Sequence, residues 1–518
     1  MVVLYVLIAL VVVALLTGVH WYVWWRLVRD TTARGGWARR TGTAAAFALP
    51  LISVGALIAG RAGAPFPLQR ALAWPGYLWL ALLLYLTLAL LVGEAVRPVL
   101  RAWLSGSADV RSTEGPAAAT GSAAATGSAA ATGPTTAAGS AVSGGLPTAF
   151  ADGSGADSAA GDGVGAAVVS DAKAVADGTV QAPAGTAGPA VAGAVKVARG
   201  VADSAADGAA QPGGDGAVEG AAANPTGQAA ATGGAVEPAD AAPAPSRRLF
   251  VARAVAVGAT AVAAGTVGYG TYTVLRGPRI KRITVPLAKL PRRAHGFRIA
   301  VVSDIHLGPI LGRDHTRRVV EAVNRTNAYL VAVVGDLVDG SVADLGPAAE
   351  PLRGLSARHG SYFVTGNHEY YSGAAEWVDH VRELGLRPLE NERAELPGFD
   401  LAGVNDVAGE SEGHGPDFGK ALGDRDRTRA SVLLAHQPVV IHDAVRAGVD
   451  LQLSGHTHGG QLWPGTYVAE LANPTAAGLE RYGDTQLYVT RGAGAWGPPV
   501  RVGAPPDVTV VELASTRA

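Results

Sequence analysis

Four stretches of the chain, 1–25, 41–60, 71–93 and 254–275, contain no Asp, Glu, Lys or Arg. Each reaches the roughly 20 residues that a bilayer-spanning helix needs. Trp21, Tyr22, Trp24 and Trp25 close the first stretch, and Trp74, Tyr77 and Trp79 open the third. Aromatic side chains at the ends of apolar runs suit the membrane–water interface. The second stretch contains Pro50 and the fourth is Ala/Gly-rich and mildly apolar, so for these two a buried helix of a soluble core is the competing reading. The pattern predicts a membrane region over 1–104 with three transmembrane helices and a fourth helix within 246–276.

Between them the apolar pattern disappears. Residues 105–245 carry AAATGS repeats over Ala117–Thr132 and continue in Gly, Ala, Asp, Thr and Pro, with almost no aromatics. Such a segment cannot bury enough apolar surface to offset the entropy of ordering its backbone, so a disordered low-complexity linker is expected.

The pattern changes again in the last part of the chain, 277–518. FRIAVVSD, YLVAVVGD, SYFVTGN, ASVLLAH and VDLQLSGH are short runs rich in β-branched residues, each ending in polar residues. Helix-like stretches such as 314–327 and 374–384 lie between several of them. Strands alternating with helices predict an α/β core. Ligands in such cores gather beyond the carboxyl ends of the strands, which is where the unusual polar residues stand.

Composition narrows the chemistry. There is no Cys, which excludes disulfides and thiolate metal sites. The formal net charge of -1 gives no polycationic character, so no nucleic-acid partner is expected. Any metal must be held by His, Asp, Glu or Asn, a donor set suited to Mn, Fe, Zn or similar ions.

The strand ends supply, in order, Asp304-Ile305-His306, Gly335-Asp336-Leu337-Val338-Asp339, Gly366-Asn367-His368-Glu369, a lone His436, and Gly455-His456-Thr457-His458-Gly459-Gly460. A carboxylate and an imidazole two residues apart can face one ion from an extended segment, because alternate side chains share a face. The same holds for His456 and His458 unless a turn aims them at different ions. Alone, an Asp after a strand is usually a turn former and a His a packed residue. Five such segments in this order argue for a joint site. The remaining His residues fall in no cluster and are read as surface or core.

This series closely resembles the calcineurin-like metallophosphoesterase family, whose pattern is D-x-H, G-D-x-x-D, G-N-H-D/E, a lone H, and G-H-x-H. GHTHGGQ and RGAGAWGPPVR are similar to a bacterial membrane-associated or exported subgroup. The resemblance implies a four-layer αββα metallo-dependent phosphatase sandwich and two divalent ions. It implies that Asp304, His306 and His458 hold one ion and Asn367, His436 and His456 the other, with Asp336 bridging. His368 would act on the leaving oxygen without being a ligand. Asp339 would orient His306 or its loop, and Glu369 would support the ligands. Two ions about 3.5–4 Å apart can share a hydroxide that attacks phosphorus in line. No P-loop is present, so NTP-driven work is not expected.

Ser246-Arg247-Arg248-Leu249-Phe250 before the fourth apolar stretch resembles a twin-arginine export signal, and positive-inside flanking is the competing reading. Arg26, Arg29, Arg34, Arg39 and Arg40 lie between the first two stretches, and only Arg61 and Arg70 between the next two. This bias predicts a multi-pass protein with an extracytoplasmic catalytic domain and an uncleaved fourth helix, although Arg276, Arg279, Lys281 and Arg282 oppose it. The expected partners are the bilayer, a phosphorylated small molecule or lipid, and the twin-arginine export machinery. The expected function is a membrane-anchored phosphoesterase acting on an envelope or lipid-linked substrate. A cytoplasmic-facing nucleotide or lipid-pyrophosphate phosphodiesterase and a non-catalytic phospholigand-binding scaffold are the alternatives. A binding module could lose His368 without harm, which disfavours the scaffold.

Overall fold

The computed structural model describes residues 2–112 and 246–517. The expected linker lies outside the described residues over 113–245. Its first residues, from Ser105, continue a helix that runs to Ser112.

Among the described residues, four helices are long and apolar enough to cross a membrane: α1 (Val2–Trp24), α2 (Trp37–Ala59), α3 (Phe66–Ser112) and α4 (Arg247–Leu275). Their outer faces stay exposed, with Leu10, Val11, Leu15, Phe47 and Leu51 uncovered, as lipid-facing side chains would be. Their inner faces pack through Ala81, Leu86 and Leu90 of α3 against Ala259, Ala263 and Val267 of α4. Small residues let these backbones approach, and a Cβ at Gly93 would collide with Val255. At one end of the bundle Arg26 pairs with Asp30 and with Glu94, both at 2.9 Å, and Arg253 donates to the Thr31 carbonyl at 3.1 Å. The α1–α2 connection, the later part of α3 and the start of α4 therefore share that end. The α2–α3 turn and the exit of α4 lie at the other end, beside the C-terminal domain. The Ser246 side chain accepts from Leu249 N–H and caps α4, so the serine of the twin-arginine-like segment also serves the helix itself.

The C-terminal domain follows directly. Its first half contains β1 (Arg279–Leu287), β2 (Phe297–Val302), α5 (Arg313–Asn324), β3 (Leu330–Val334), α6 (Val342–Ala349), β4 (Ser361–Val364), α7 (Asn367–Ser372), α8 (Ala374–Glu383) and β5 (Arg387–Pro388). The second half contains β6 (Glu392–Leu396), β7 (Phe399–Gly403), α9 (Phe418–Leu422), β8 (Ala430–Leu434), α10 (Ile441–Ala447), β9 (Leu451–Ser454), α11 (Gly465–Ala472), β10 (Gly478–Tyr482), β11 (Thr485–Val489) and β12 (Asp507–Ser515). Among the described residues they form two six-stranded sheets, β1-β12-β2-β3-β4-β5 and β10-β11-β9-β8-β7-β6.

Strands buried on both faces read as continuous apolar runs, and FRIAVV and LVAVV do so. One face, with Ile299, Val301, Ala332 and Val334, meets Leu401, Val432 and Leu453 of the other sheet. The opposite face, with Ala300, Val302, Val331 and Val333, is covered by Val319 and Val323 of α5 and by Trp377 and Val381 of α8. The second sheet is covered on its outside by Ala421 and Leu422 of α9 and by Ile441 and Ala444 of α10. The domain is thus the expected four-layer αββα sandwich. Each fully buried Leu or Val contributes roughly 1.5–3 kcal/mol to this packing.

The segment around Arg279–Arg282 was expected as a basic cluster after a membrane helix. It is strand β1, paired in parallel with β12 from Arg279–Asp507 to Leu287–Ser515. Its charged residues alternate with Ile and Val, and only its last turns of the pleat are buried, so its apolar signal is weak.

Candidate metal centre

The site lies beyond the carboxyl ends of β2, β3, β4, β8 and β9. There the chain bends through the left-handed region at Asp304 (φ 51°), His306 (49°), Asp336 (52°), His456 (73°) and His458 (53°). That conformation costs an L-residue roughly 1–2 kcal/mol, and persists only where the surroundings hold it. Five of the eight non-glycine residues described with positive φ are these site residues. The expected geometry, an extended segment with alternate side chains sharing a face, is therefore corrected. Each of these side chains is aimed by its own turn. His456 and His458 consequently diverge into different groups. Glycine is needed at Gly366, where a Cβ would run into the Asp336 carboxylate.

The turns assemble three groups of possible metal donors: Asp304, His306 and His458; Asp336, His436 and His456; and His306, Asp339 and His368. In the first, His306 Nε2 lies 3.0 Å from His458 Nε2, and the latter is 3.4 Å from Asp304 Oδ1. In the second, His436 Nε2 is 3.0 Å from Asp336 Oδ2. The same oxygen is 3.7 Å from His306 Nε2, so Asp336 stands between the two groups. Asn367 is buried and its Oδ1 has no hydrogen-bond partner. A buried carbonyl oxygen left unpaired is costly, and a cation beside it removes that cost. The donor set, imidazoles with carboxylates and one amide oxygen, fits divalent ions of the Mn, Fe or Zn kind.

Outer contacts orient these rings. His306 Nδ1 donates to Asp339 Oδ1 at 3.0 Å, which makes Nε2 the nitrogen available to an ion. His436 Nδ1 donates to the Val334 carbonyl at 2.9 Å with the same consequence. Asp339 Oδ1 also receives His368 Nδ1 at 2.7 Å, so one carboxylate fixes two histidines. The His368 amide donates to Asp336 Oδ1 at 2.9 Å. Glu369 accepts from the amides of Asp336, Leu337 and Gly366 at 3.0, 2.7 and 2.6 Å, tying the β3 and β4 turns together.

The site is rich in negative charge, and its histidines respond. Burial works against a charge on His306, but Asp339, Asp336 and Asp304 raise it to about 9. His436 is raised well above the usual imidazole range despite burial, chiefly by Asp336. These two rings draw protons where carboxylates crowd, which is the electrostatic setting a cation completes. Burial first, then neighbouring His436, lowers His456 to about 4, and burial with Arg501 holds His458 well below the usual range. Burial opposes the charge on Asp339, but His306 and then His368 hold its carboxyl at about 2.

Arg501 closes the RGAGAWGPPVR motif, and nothing in the sequence pattern gives it a role. The guanidinium is buried, donates to the carbonyls of His458 and Gly494 at 2.7 and 2.7 Å, and lies 2.8 Å from His458 Nδ1. Burial lowers it to about 10, so it stays charged near neutrality. Replacing Arg501 with Met leaves those two carbonyls unpaired, at about 1–3 kcal/mol each. A thermal melt of the full chain should show a clear loss of stability, and an unchanged melting temperature would remove this bracing role. Of the histidines outside the motifs, His315 is buried in α5 with neither ring nitrogen bonded, in keeping with a core residue.

A family model described as calcineurin-like phosphoesterase matches residues 297–460. That span contains all eight metal-donor and catalytic candidates and excludes Arg501. A "Transmembrane protein with metallophosphoesterase domain" from Danio rerio is 39% identical over 259 residues, covering 47% of this chain and 59% of that protein. An "Uncharacterized metallophosphoesterase" from Helicobacter pylori (strain J99 / ATCC 700824) is 36% identical over 272 residues, covering 52% of this chain and 73% of that protein.

The chain belongs to the calcineurin-like metallophosphoesterase family.

A further metallophosphoesterase, named a transmembrane protein in Bos taurus, is 36% identical over 285 residues, covering 52% of this chain and 64% of that protein. The match spans less than two thirds of the zebrafish and bovine metallophosphoesterases, so the family likeness concerns the domain that carries the site.

Proposed function

We propose that this protein is a membrane-anchored, metal-dependent phosphoesterase that hydrolyses phosphoester or pyrophosphate bonds with two divalent ions. The observation that carries the reading is Asp336, a single buried carboxylate set between two groups of imidazole and oxygen donors. Asp304, His306 and His458 would hold one ion, Asn367, His436 and His456 the other, and Asp336 would touch both. Bound there, the ions would supply positive charge to phosphoryl oxygens and acidify water.

The chain's own residues supply the rest. His368 lines the cleft beside Asp339, and its Nδ1–H is engaged by that carboxylate. Nε2 is left as the nitrogen that can give a proton to the departing oxygen. Glu369 and Gly366 hold the β3 and β4 turns at the spacing this requires. The experiment that tests the reading is hydrolysis of aryl phosphates, aryl phosphodiesters, phospholipids and nucleotide-sugar lipids by the full chain in detergent. Added Mn, Fe, Zn or Mg should restore turnover after chelation.

The helix arrangement supports an extracytoplasmic catalytic domain. The bundle end away from the domain carries Arg26, Arg29, Arg34, Arg39, Arg40, Arg97, Arg247, Arg248 and Arg253, while Arg61 and Arg70 flank the α2–α3 turn at the other. Cytoplasmic flanks carry the Lys/Arg excess. Changing Arg247 and Arg248 together to Lys keeps the charge but removes a twin-arginine signal. External protease on intact cells without an outer barrier should cut the domain in the parent and leave it protected in the double-Lys form. Protection in the parent would overturn the outward topology. Equal exposure in both forms would overturn the export signal and leave the topology standing.

A further inference from the structure

The cleft that contains His306, Asp339 and His368 has a volume of about 400 Å³ and is not walled by the catalytic domain alone. Its other wall is the end of α2, the turn after it and the start of α3, including Leu57, Arg61, Phe66 and Tyr77. This wall is tied to the domain, because Phe66 packs against the core cluster formed by α5, α6, α8 and the first sheet. Arg61 is exposed, and no carboxylate pairs with it among the described residues. Its Nη1 donates to the Leu57 carbonyl at 3.4 Å, a neutral partner that leaves its charge uncompensated, so it can meet an anion in the cleft, opposite the metal-donor residues.

Trp463, Tyr467, Val468 and Leu471 are exposed, the last at 89%. Tyr467, Val468 and Leu471 share one face of α11, at spacings of three and four residues. The segment that leads into α11 adjoins the membrane helices. Tyr85 of α3 donates to the Trp463 carbonyl at 3.0 Å, and Leu462, Val500 and Val502 pack into the apolar cluster of α3 and α4. An exposed apolar helix face that follows a segment held on the spanning helices is suited to the headgroup–acyl boundary of a bilayer. Trp496, also about half exposed, lines the cleft itself.

We propose that the substrate enters from the bilayer: it is a lipid-anchored phosphoester whose anionic headgroup is received by Arg61 on the α2–α3 wall while its acyl part stays in the membrane. The inference rests on the phosphoesterase reading and adds the substrate class, the entry side and a specificity residue outside the catalytic domain. A cleft of this size suits a headgroup, and small-ligand sites commonly measure about 300–1,000 Å³. Hydrolysis there adds water across the P–O bond and releases the lipid alcohol, which remains in the bilayer, and the phosphate fragment, which leaves to water. Arg61 is a positioning residue for the anion and does not touch the bond that breaks through any proton of its own.

The test uses probes that cannot be hydrolysed. Alkylphosphonic acids from methyl to dodecyl are titrated calorimetrically into the full chain in phosphatidylcholine nanodiscs with Mn, and empty nanodiscs are subtracted. Dodecylphosphonate is expected to bind at least about 100-fold more tightly than methylphosphonate. Arg61→Gln should weaken dodecylphosphonate at least about tenfold, whereas Arg70→Gln, which removes the same charge outside the cleft, should not. Affinity independent of chain length would overturn lateral entry. An Arg61→Gln value within twofold of the parent, or an equal effect of Arg70→Gln, would overturn the role of Arg61. Turnover of 4-nitrophenyl phosphate by the same preparation reports on the phosphoesterase reading separately, so failure of one is distinguishable from failure of the other.

Discussion

Asp336→Asn is expected to abolish nearly all hydrolysis and to lower metal content at both donor groups. One carboxylate oxygen of Asp336 lies 3.0 Å from His436 Nε2 and 3.7 Å from His306 Nε2, and the other accepts the His368 amide at 2.9 Å. Asparagine keeps the size and can keep one acceptor, but it loses the charge and presents an NH₂ group to atoms that need an anion. Metal charge stabilisation is worth several kcal/mol, and each 1.36 kcal/mol is tenfold in rate, so a loss of about 10³-fold or more is expected. The fold should survive because the substitution is isosteric, which a thermal melt checks. Elemental analysis should show metal lost from both groups. Turnover close to the parent would contradict the assignment of Asp336 as the shared ligand.

His368→Ala is the second large effect, and it should separate catalysis from metal binding. His368 is held by Asp339 at 2.7 Å and lines the cleft, yet it falls outside the two donor groups that meet at Asp336. General acid catalysis commonly contributes about 10²–10⁴-fold, so kcat should fall within that range while metal content is retained. The deficit should be largest for an alkyl phosphate, whose leaving alkoxide needs a proton. It should shrink for 4-nitrophenyl phosphate, whose leaving group is a weak base. Loss of metal in this variant would instead make His368 a ligand, through the group it forms with Asp339 and His306.

Much of this site was legible because its chemistry is concentrated at strand ends. Apolar runs such as FRIAVV and LVAVV announce buried strands, and the polar residues that follow them have no packing reason to be Asp, His and Asn together. How those residues are aimed was not legible. The left-handed turns at Asp304, His306, Asp336, His456 and His458 arise from the surrounding hydrogen bonds, such as the Glu369 carboxylate gathering three amides. Local propensity alone does not predict them: Asp and His enter that region more often than most residues, but only Gly adopts it freely. The separation of His456 from His458 follows from the same turns.

Arg501 escaped for a different reason. It lies 43 residues beyond His458, at the end of the RGAGAWGPPVR motif, which holds no metal-donor side chain, and its role appears when the loop folds back over the site. Strand β1 escaped because Arg and Lys alternate with its apolar residues and resemble the flank of a membrane helix. The contribution of Arg61 and Phe66 to the cleft was hidden by distance along the chain: residues 113–245 and α4 lie between them and Asp339 in sequence.

The proposed hydrolytic centre depends on divalent metal held by residues of five strand ends. The measurement that tests it most directly is hydrolysis of 4-nitrophenyl phosphate and bis(4-nitrophenyl) phosphate by the full chain in detergent, before chelation, after chelation and after stepwise return of Mn, Fe or Zn, with bound metal counted in parallel. Turnover that vanishes on chelation and returns as the protein takes up two ions per chain is the predicted result. Turnover that persists in metal-free protein, or full activity at one ion per chain, would contradict the account.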